Sequence, residues 1–187
     1  NFTDADQQKG NPHFSDPDGW AAGYYDNCQT CTMTYELRRR GFPVEALPNK
    51  DNEFYEVWCP KNNLTCNDRF LNPDGSRPIK TRPSVLRDTI TAKVGFIEGA
   101  TKETGRYELY LKWKSVRGRD GGAHVMIVER QKDGNLLWFD PQSGKHGSSK
   151  TFNGFMKSAV PVKLSVLRID DKIINPKFSE RFKKASK

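Results

Sequence analysis

The stretch AHVMIVERQKDGNLLWFD (residues 123–140) decides the fold class, because it has the pattern of two β-strands joined by a turn. β-Branched and aromatic residues fill both halves, and the Asp-Gly pair between them is a strong hairpin signal. The alternating stretch RYELYLKWKSV (106–116) precedes it, and VKLSVLRI (162–169) follows it. Strands that follow one another in this way predict an antiparallel sheet.

A helix is predicted upstream of these strands, over residues 30–40, where Gly and Pro are absent. Met33 and Leu37 stand four residues apart and therefore share one face of a helix. The helix is expected to end at Gly41, because glycine commonly follows the last residue of a helix. Shorter helices are expected in SVLRDTITAKV (84–94), capped by Ser84, and in TFNGFMKSA (151–159). Helices that come mostly before the strands indicate an α+β fold.

The start of the first helix carries a cysteine. If Asp26 or Asn27 supplies the capping oxygen, Cys28 lies in the first turn. A thiol in this position faces unsatisfied backbone amides and the positive end of the helix dipole, and both favour its thiolate. Cys28 is therefore a candidate nucleophile.

Two structural roles compete with this one for the four cysteines, which are Cys28, Cys31, Cys59 and Cys66. Four thiolates can bind zinc, although the second pair is spaced more widely than in a usual zinc knuckle. A disulfide between Cys59 and Cys66, or from one of them back to the first pair, is the ordinary alternative in an exported protein. The spacing alone leaves the three roles open.

A cysteine nucleophile needs a base, and the chain has three histidines. His13 lies in an irregular arm and His146 in a polar loop, whereas His124 is on a predicted strand that can hold it rigidly. A two-residue turn would set Asp140 on the other face of the hairpin from His124. A five-residue loop, 130–134, would place the two side chains directly across from each other. We favour the second register because a base oriented by a carboxylate suits a cysteine nucleophile.

The length and composition are those of one globular domain. The 187 residues are enough for one compact core and few for two. No apolar run approaches the roughly 18 residues of a membrane-spanning helix. We expect a single domain, 1–187, with an irregular arm at 1–26, a surface loop at 60–83 and a basic tail at 176–187. Because the chain begins at Asn1 rather than Met, we expect it to be part of a longer polypeptide.

The chain is basic, with 31 Lys and Arg against 23 Asp and Glu and a formal net charge of +8. Such a surplus attracts nucleic acid, anionic membranes or an acidic protein, and it does not choose among them. Part of it lies in the tail KFSERFKKASK, where Lys183, Lys184 and Lys187 are interpreted as a solvated terminus.

Two blocks of sequence combine these features, NCQTCTMTYELRRRGFPVEALP (27–48) and GAHVMIVERQKDGNLLWFDPQSG (122–144). The first has Asn-Cys, a helix with an Arg-rich end, Gly, and then Val-Glu-Ala. The second has a strand that begins near Gly and His, followed by a strand that ends in Asp-Pro-Gln-x-Gly. Together, and in this order, they resemble the signatures of the papain-fold toxin family.

The resemblance implies a papain-like fold with an N-terminal nucleophile helix packed on an antiparallel sheet. It also implies a cysteine hydrolase in which Cys28 is the nucleophile, His124 the general base and Asp140 the residue that orients the base. Gln142 would help to shape the site. Because the second cysteine attacks in papain-type proteases with a Cys-x-x-Cys signature, Cys31 is the alternative nucleophile.

The implied reaction is hydrolysis of an amide through a thioester on Cys28, with glutamine deamidation favoured over proteolysis. The oxyanion needs two donors, and we expect the backbone N–H of Cys28 and a side chain, Asn27 or Gln29. This chemistry requires neither a metal nor an organic cofactor. The thioester is common to deamidation, proteolysis and acyl transfer, and therefore the sequence does not separate them.

The resemblance further implies a target protein as substrate. It also implies a chain that is secreted or delivered into a target cell within a larger polypeptide, or carried by a phage particle. An acidic immunity protein would suit the positive charge. Two other functions remain open, a basic zinc module that binds nucleic acid and an inactive module with a structural role. We consider nucleic-acid binding the weaker hypothesis, because its aromatic and basic residues also fit a strand.

Overall fold

A computed structural model describes residues 9–185. The α-helices are α1 (Cys28–Arg39), α2 (Cys59–Lys61), α3 (Ile90–Ala100) and α4 (Asn153–Ser158). A π-helical turn spans Phe54–Trp58, and 3₁₀ helices span Pro12–Ser15, Lys50–Asn52, Cys66–Asp68, Ser149–Phe152, Pro161–Lys163 and Pro176–Arg181. The strands are β1 (Val44–Ala46), β2 (Phe70–Leu71), β3 (Gly105–Lys112), β4 (Ala123–Arg130), β5 (Leu136–Asp140), β6 (Lys145–Gly147), β7 (Ser165–Arg168), β8 (Ile173–Ile174) and β9 (Phe182–Lys184).

The chain divides into two compact units. The first comprises the residues up to Pro78, Pro141–Lys145 and the residues from Asp171 onward, and the second comprises Ile79–Asp140 and His146–Asp170. The expectation of a single domain stays a prediction. The first eight residues of the predicted arm, together with Lys187 in the tail, lie outside the described residues.

The first unit is built around α1, which overlaps the helix predicted over 30–40 and ends one residue earlier. Cys28 is its first residue and therefore lies in the first turn, as expected. The side chain of Met33 is fully buried in the middle of the helix. Gly41 follows the helix with φ of +92°, the left-handed conformation that commonly ends a helix.

The basic tail forms part of this unit. Strand β9 pairs antiparallel with β1, and β8 pairs antiparallel with β2. The Nζ of Lys183 lies 3.1 Å from the carboxylate of the buried residue Glu45. The interpretation as a solvated terminus is therefore wrong for Lys183, because backbone pairing and a buried carboxylate hold it in place, whereas the Lys184 side chain is exposed.

The predicted loop at 60–83 is mostly irregular, but side chains anchor it. Thr65 and Asp68 form a capping box, and Arg77 makes an ion pair with Asp68. Arg69 and Phe70 are buried in the first unit. The loop therefore contributes to the core as well as to the surface.

The second unit contains a five-stranded sheet in the order β6-β5-β4-β3-β7, with β3, β4, β5 and β7 paired antiparallel. The predicted α+β fold with an antiparallel sheet is confirmed. Helices α3 and α4 complete the unit. The core combines residues of the sheet and both helices, including Ile97, Leu109, Met126, Trp138 and Met156.

Helix α3 begins later than predicted. Thr89, not Ser84, is its cap, and the Thr89 hydroxyl accepts a hydrogen bond from the Ala92 N–H at 3.2 Å. Thr89 has the extended backbone that an N-cap requires, whereas the residues from Ser84 to Asp88 are bends and irregular backbone.

The hairpin of β4 and β5 has a different register from the one predicted. Ile127 pairs with Phe139, and the Gln131 N–H donates to the Asn135 carbonyl at 2.8 Å. The loop therefore has three residues rather than five, and Gly134 (φ of +85°) supplies the left-handed residue that such loops need. The register differs by two residues, an even number, and thus each side chain keeps its predicted face.

No helix among residues 9–185 combines the length and the apolar character that a membrane span requires.

Candidate active site

The imidazole of His124 and the carboxylate of Asp140 form a buried pair in the second unit. His124 is near the start of β4 and Asp140 is the last residue of β5. The two share one face of the hairpin and are diagonal to each other, because of the three-residue loop. His124 Nε2 lies 3.1 Å from Asp140 Oδ1. Sequence analysis predicted this pair correctly, although it predicted the wrong register.

Two aromatic rings hold the imidazole from its sides. The Trp113 ring stacks on the His124 ring at 6.1 Å between centroids, with 15° between the planes. The Phe155 ring meets it edge-on at 5.5 Å and 90°. The Asp140 hydrogen bond and these contacts fix the plane of the imidazole and cover it against water. Sequence analysis gave neither aromatic residue a role in the site.

The Cys28 side chain lies at the start of α1 in the first unit and is only 7% exposed. Tyr55, a residue of the π-helical turn, lies close enough to interact with it. Burial raises the pKa of Tyr55, and negative charge on the nearby Cys28 and Cys66 sulfurs would raise it further. The phenol therefore stays protonated at neutral pH and can donate a hydrogen bond to the sulfur. Sequence analysis did not identify Tyr55.

Arg69 lies beneath this end of α1. Its Nη1 donates to the Thr32 hydroxyl at 2.8 Å and to the Gln29 carbonyl at 3.2 Å, and its Nε donates to the Cys66 carbonyl at 2.8 Å. The guanidinium is 2% exposed. Its charge lowers the pKa of Tyr55 and partly opposes the effect of burial. Arg69 thus links the first turns of α1 to the loop that follows α2.

Asn27 does not cap α1 with its side chain, contrary to the sequence-based expectation. Its Nδ2 donates instead to Asn11 Oδ1 at 3.0 Å and to the Leu47 carbonyl at 3.2 Å. Its Oδ1 accepts from Cys31 Sγ at 3.2 Å and from Gln142 Nε2 at 3.4 Å. Asn27 and Gln142, both predicted to shape the site, therefore do lie together.

Asn11 completes this group of amides, although sequence analysis gave it no role. Its Nδ2 donates to the Gln142 carbonyl at 2.8 Å, which connects the arm to the segment after β5. Gln29 differs from Asn27, because its buried Oε1 has no hydrogen-bond partner among residues 9–185. A buried polar atom of this kind is unusual in a structural position.

All four cysteines are in the described part of the chain, and each carries a thiol rather than a disulfide. Burial and the neighbouring Cys66 raise the pKa of Cys59 to about 12, and therefore Cys59 is a neutral thiol at physiological pH. Within residues 9–185, no group of three or more His, Cys, Asp and Glu side chains is arranged to hold a metal ion. The four-sulfur arrangement required by the zinc alternative is thus not formed.

Comparison with protein-family models gives a match to papain fold toxin 1, glutamine deamidase, over residues 26–145. The matched segment is well over half of the chain and includes Cys28, His124, Asp140 and Gln142. Comparisons with curated proteins and with solved structures gave no significant match. The family match confirms the resemblance of the two sequence blocks and the papain-like fold class. The chain therefore belongs to the papain fold toxin 1, glutamine deamidase, family.

Proposed function

We propose that this chain deamidates glutamine side chains of a target protein through a covalent thioester on Cys28. Membership of the family supports a toxin deamidase function, with a protein as substrate. The observation that carries the proposal is the buried His124–Asp140 pair, because a histidine held by a carboxylate is the base that a cysteine nucleophile needs. Cys28, at the start of α1 and close to Tyr55, is the nucleophile that goes with it.

The reaction has two halves. In the first, His124 accepts the thiol proton, and the Cys28 sulfur attacks the carbonyl carbon of the glutamine carboxamide. The tetrahedral intermediate collapses to a thioester, and His124 returns the proton to the departing ammonia. In the second, His124 takes a proton from water, which attacks the thioester and releases glutamate. Asp140 engages Nε2, and we assign these transfers to the other ring nitrogen, Nδ1.

Developing negative charge on the substrate oxygen requires hydrogen-bond donors. The backbone N–H of Cys28 at the start of α1 is one candidate, because the first amides of a helix have no partner within the helix. The protonated phenol of Tyr55 and the side chain of Gln29 are further candidates beside Cys28. We assign Asn27 and Gln142 to support of the site, since their side chains are bonded to each other.

Several features favour Cys28 over Cys31 as the nucleophile. The Cys31 thiol is 1% exposed and donates its hydrogen to Asn27, within the amide network. Cys28 is one turn closer to the amino end of α1, where the helix dipole stabilises an anion most strongly. We therefore propose a supporting role for Cys31.

A cysteine protease on the same residues is the second candidate, because peptide bonds and carboxamides form the same thioester. We propose that the chain reaches its target by secretion or delivery within a larger polypeptide, and that an acidic immunity protein neutralises it. The net charge of +8 favours such a partner.

The test is to incubate the purified protein with a lysate of target cells and to analyse the proteins by mass spectrometry. Deamidation adds about one mass unit at glutamine, whereas proteolysis creates new chain termini. We expect conversion of glutamine by the wild type and by Cys31→Ala, and none by Cys28→Ala. Conversion that persists in Cys28→Ala would refute the proposal, and new termini without conversion would favour the protease.

A further inference from the structure

A cavity of about 350 Å³ opens beside the His124 ring in the second unit. Residues of the strand end after β3 and of helix α4 line it, namely Trp113, Lys114, Val116, Gly121, Gly154, Phe155 and Ser158. Its volume lies within the range of pockets that bind small ligands or single side chains. None of its lining residues takes part in the proposed bond-making steps.

Aromatic rings form the inner wall of this cavity. Trp113 and Phe155 contact each other edge to face, with centroids 5.4 Å apart and 79° between the planes. The same two rings contact the imidazole of His124. A group bound in the cavity would therefore lie against the rings that hold the general base.

The charge at the rim does not select an ionic ligand. Lys114 is the charged residue of the lining, and its Nζ lies 2.7 Å from Asp88 Oδ2. Hydrogen bonds from Lys114 and Lys93 hold the pKa of the Asp88 carboxyl below its usual value, and thus Asp88 remains an anion that pairs with the Lys114 cation at the rim. Val116, which is 66% exposed, adds apolar surface at the opening.

Two glycines give the cavity its shape. A Cβ on Gly121 would lie 2.3 Å from the Lys114 carbonyl oxygen and 2.8 Å from Trp113 Cβ, and therefore the backbone packs too closely there for any side chain. A Cβ on Gly154 would meet nothing within 4 Å. The first glycine lets the wall close around Trp113, and the second leaves the space beside Phe155 open.

We propose that this cavity binds an aromatic side chain of the target protein, close in space to the glutamine that is deamidated. The assignment of the occupant to the target rests on the function proposed above. An uncharged ring needs no ionic partner in the cavity, and it can pack on the Trp113–Phe155 pair edge to face. Binding of this side chain would anchor the substrate beside His124 and select glutamines that have an aromatic neighbour.

The experiment measures binding of N-acetyl-phenylalaninamide to the Cys28→Ala protein by ligand-observed NMR, and no chemical step is involved. The decisive variant is Gly154→Leu, which fills the cavity. The matched control is Gly99→Leu, on a helical glycine of α3 that also has nothing within 4 Å of its Cβ position. We expect Gly154→Leu to weaken binding by about tenfold or more, because the ring loses its apolar site. We expect Gly99→Leu to bind N-acetyl-phenylalaninamide as tightly as the Cys28→Ala protein does.

Equal binding to Gly154→Leu and Gly99→Leu, with both folded by circular dichroism, would overturn the proposal. Equal binding of N-acetyl-serinamide and N-acetyl-phenylalaninamide would also overturn it, because the cavity would then not select a ring. This result is independent of the glutamine assay: failure of the wild type to convert glutamine would refute the proposed reaction without changing the binding of the probe.

Discussion

Under the proposed mechanism, Tyr55 donates a hydrogen bond to the Cys28 sulfur from outside the helix that carries this cysteine. The pair is partly shielded from water, and a hydrogen bond to a charged sulfur is stronger in such surroundings than in water. The π-helical turn Phe54–Trp58 positions the phenol, and turns of this type often occur at functional sites. Under the proposed mechanism, Tyr55 thus complements the start of α1 in stabilising the sulfur anion that attacks the substrate.

Replacement of Tyr55 by Phe tests this role with little change in shape. We expect alkylation of Cys28 by iodoacetamide at neutral pH to slow by about tenfold, because a hydrogen bond to a charged group contributes about 1.5–3 kcal/mol. Tandem mass spectrometry of the alkylated peptide gives the rate for Cys28 alone. Tyr25→Phe is the control, since Tyr25 is 38% exposed and stacks on Phe14. An unchanged rate in Tyr55→Phe would contradict the assignment.

Lys93 joins two helices of the second unit. It is 1% exposed, and its Nζ donates to the carbonyls of Met156 (2.7 Å) and Ala159 (2.6 Å) and to Asp88 Oδ1 (2.6 Å). These carbonyls belong to the end of α4, where a cation also interacts favourably with the helix dipole. Helix α4 carries Phe155, and thus Lys93 stabilises the wall that faces the His124 imidazole.

We expect Lys93→Met to lower the free energy of unfolding by about 2–4 kcal/mol, since two buried carbonyls lose their donor. Unfolding in urea, followed by far-ultraviolet circular dichroism, measures the change. Lys102→Met serves as the control, because Lys102 is exposed just after α3 and its replacement should change stability by less than about 0.5 kcal/mol. Similar stabilities of the two variants would show that the Lys93 contacts contribute little.

Local sequence patterns predicted the elements better than the contacts between them. Helix α1 and strands β3, β4 and β5 follow from periodicity, which depends on residues close in the chain. The cap of α3 was wrong because Ser84 and Thr89 both satisfy the composition rule, and the tertiary packing of Lys93 and Ile97 selects the later start. The hairpin register was wrong because Asp-Gly fits loops of two, three or five residues.

In the site, too, the sequence predicted contacts within one local element and missed contacts between distant segments. His124 and Asp140 were predictable because both belong to one hairpin, and every register of the correct parity puts them on one face. Contacts such as Tyr55 with Cys28, or Trp113 and Phe155 with His124, join segments whose spacing carries no periodic signal. Only the tertiary structure reveals these partners.

At the scale of the whole molecule, the proposed reaction assigns complementary tasks to residues from the two units. Cys28 and Tyr55 belong to the first unit, and His124 and Asp140 belong to the second. Each unit has its own buried core. Under the proposed mechanism neither unit is sufficient alone, because the thiol needs the imidazole to transfer its proton.

Alkylation of Cys28 in His124→Ala tests this dependence directly and requires no knowledge of the substrate. We expect the rate of modification by iodoacetamide at neutral pH to fall by about tenfold or more, because a thiol without its base is less often ionised. His146→Ala is the matched control, since His146 is exposed and outside the proposed mechanism. The alkylation rate of Asp140→Asn should lie between those of His124→Ala and His146→Ala, because the imidazole remains but loses its anionic partner. Equal rates in wild type and His124→Ala would show that Cys28 does not use this base and would remove the main support for the proposed mechanism.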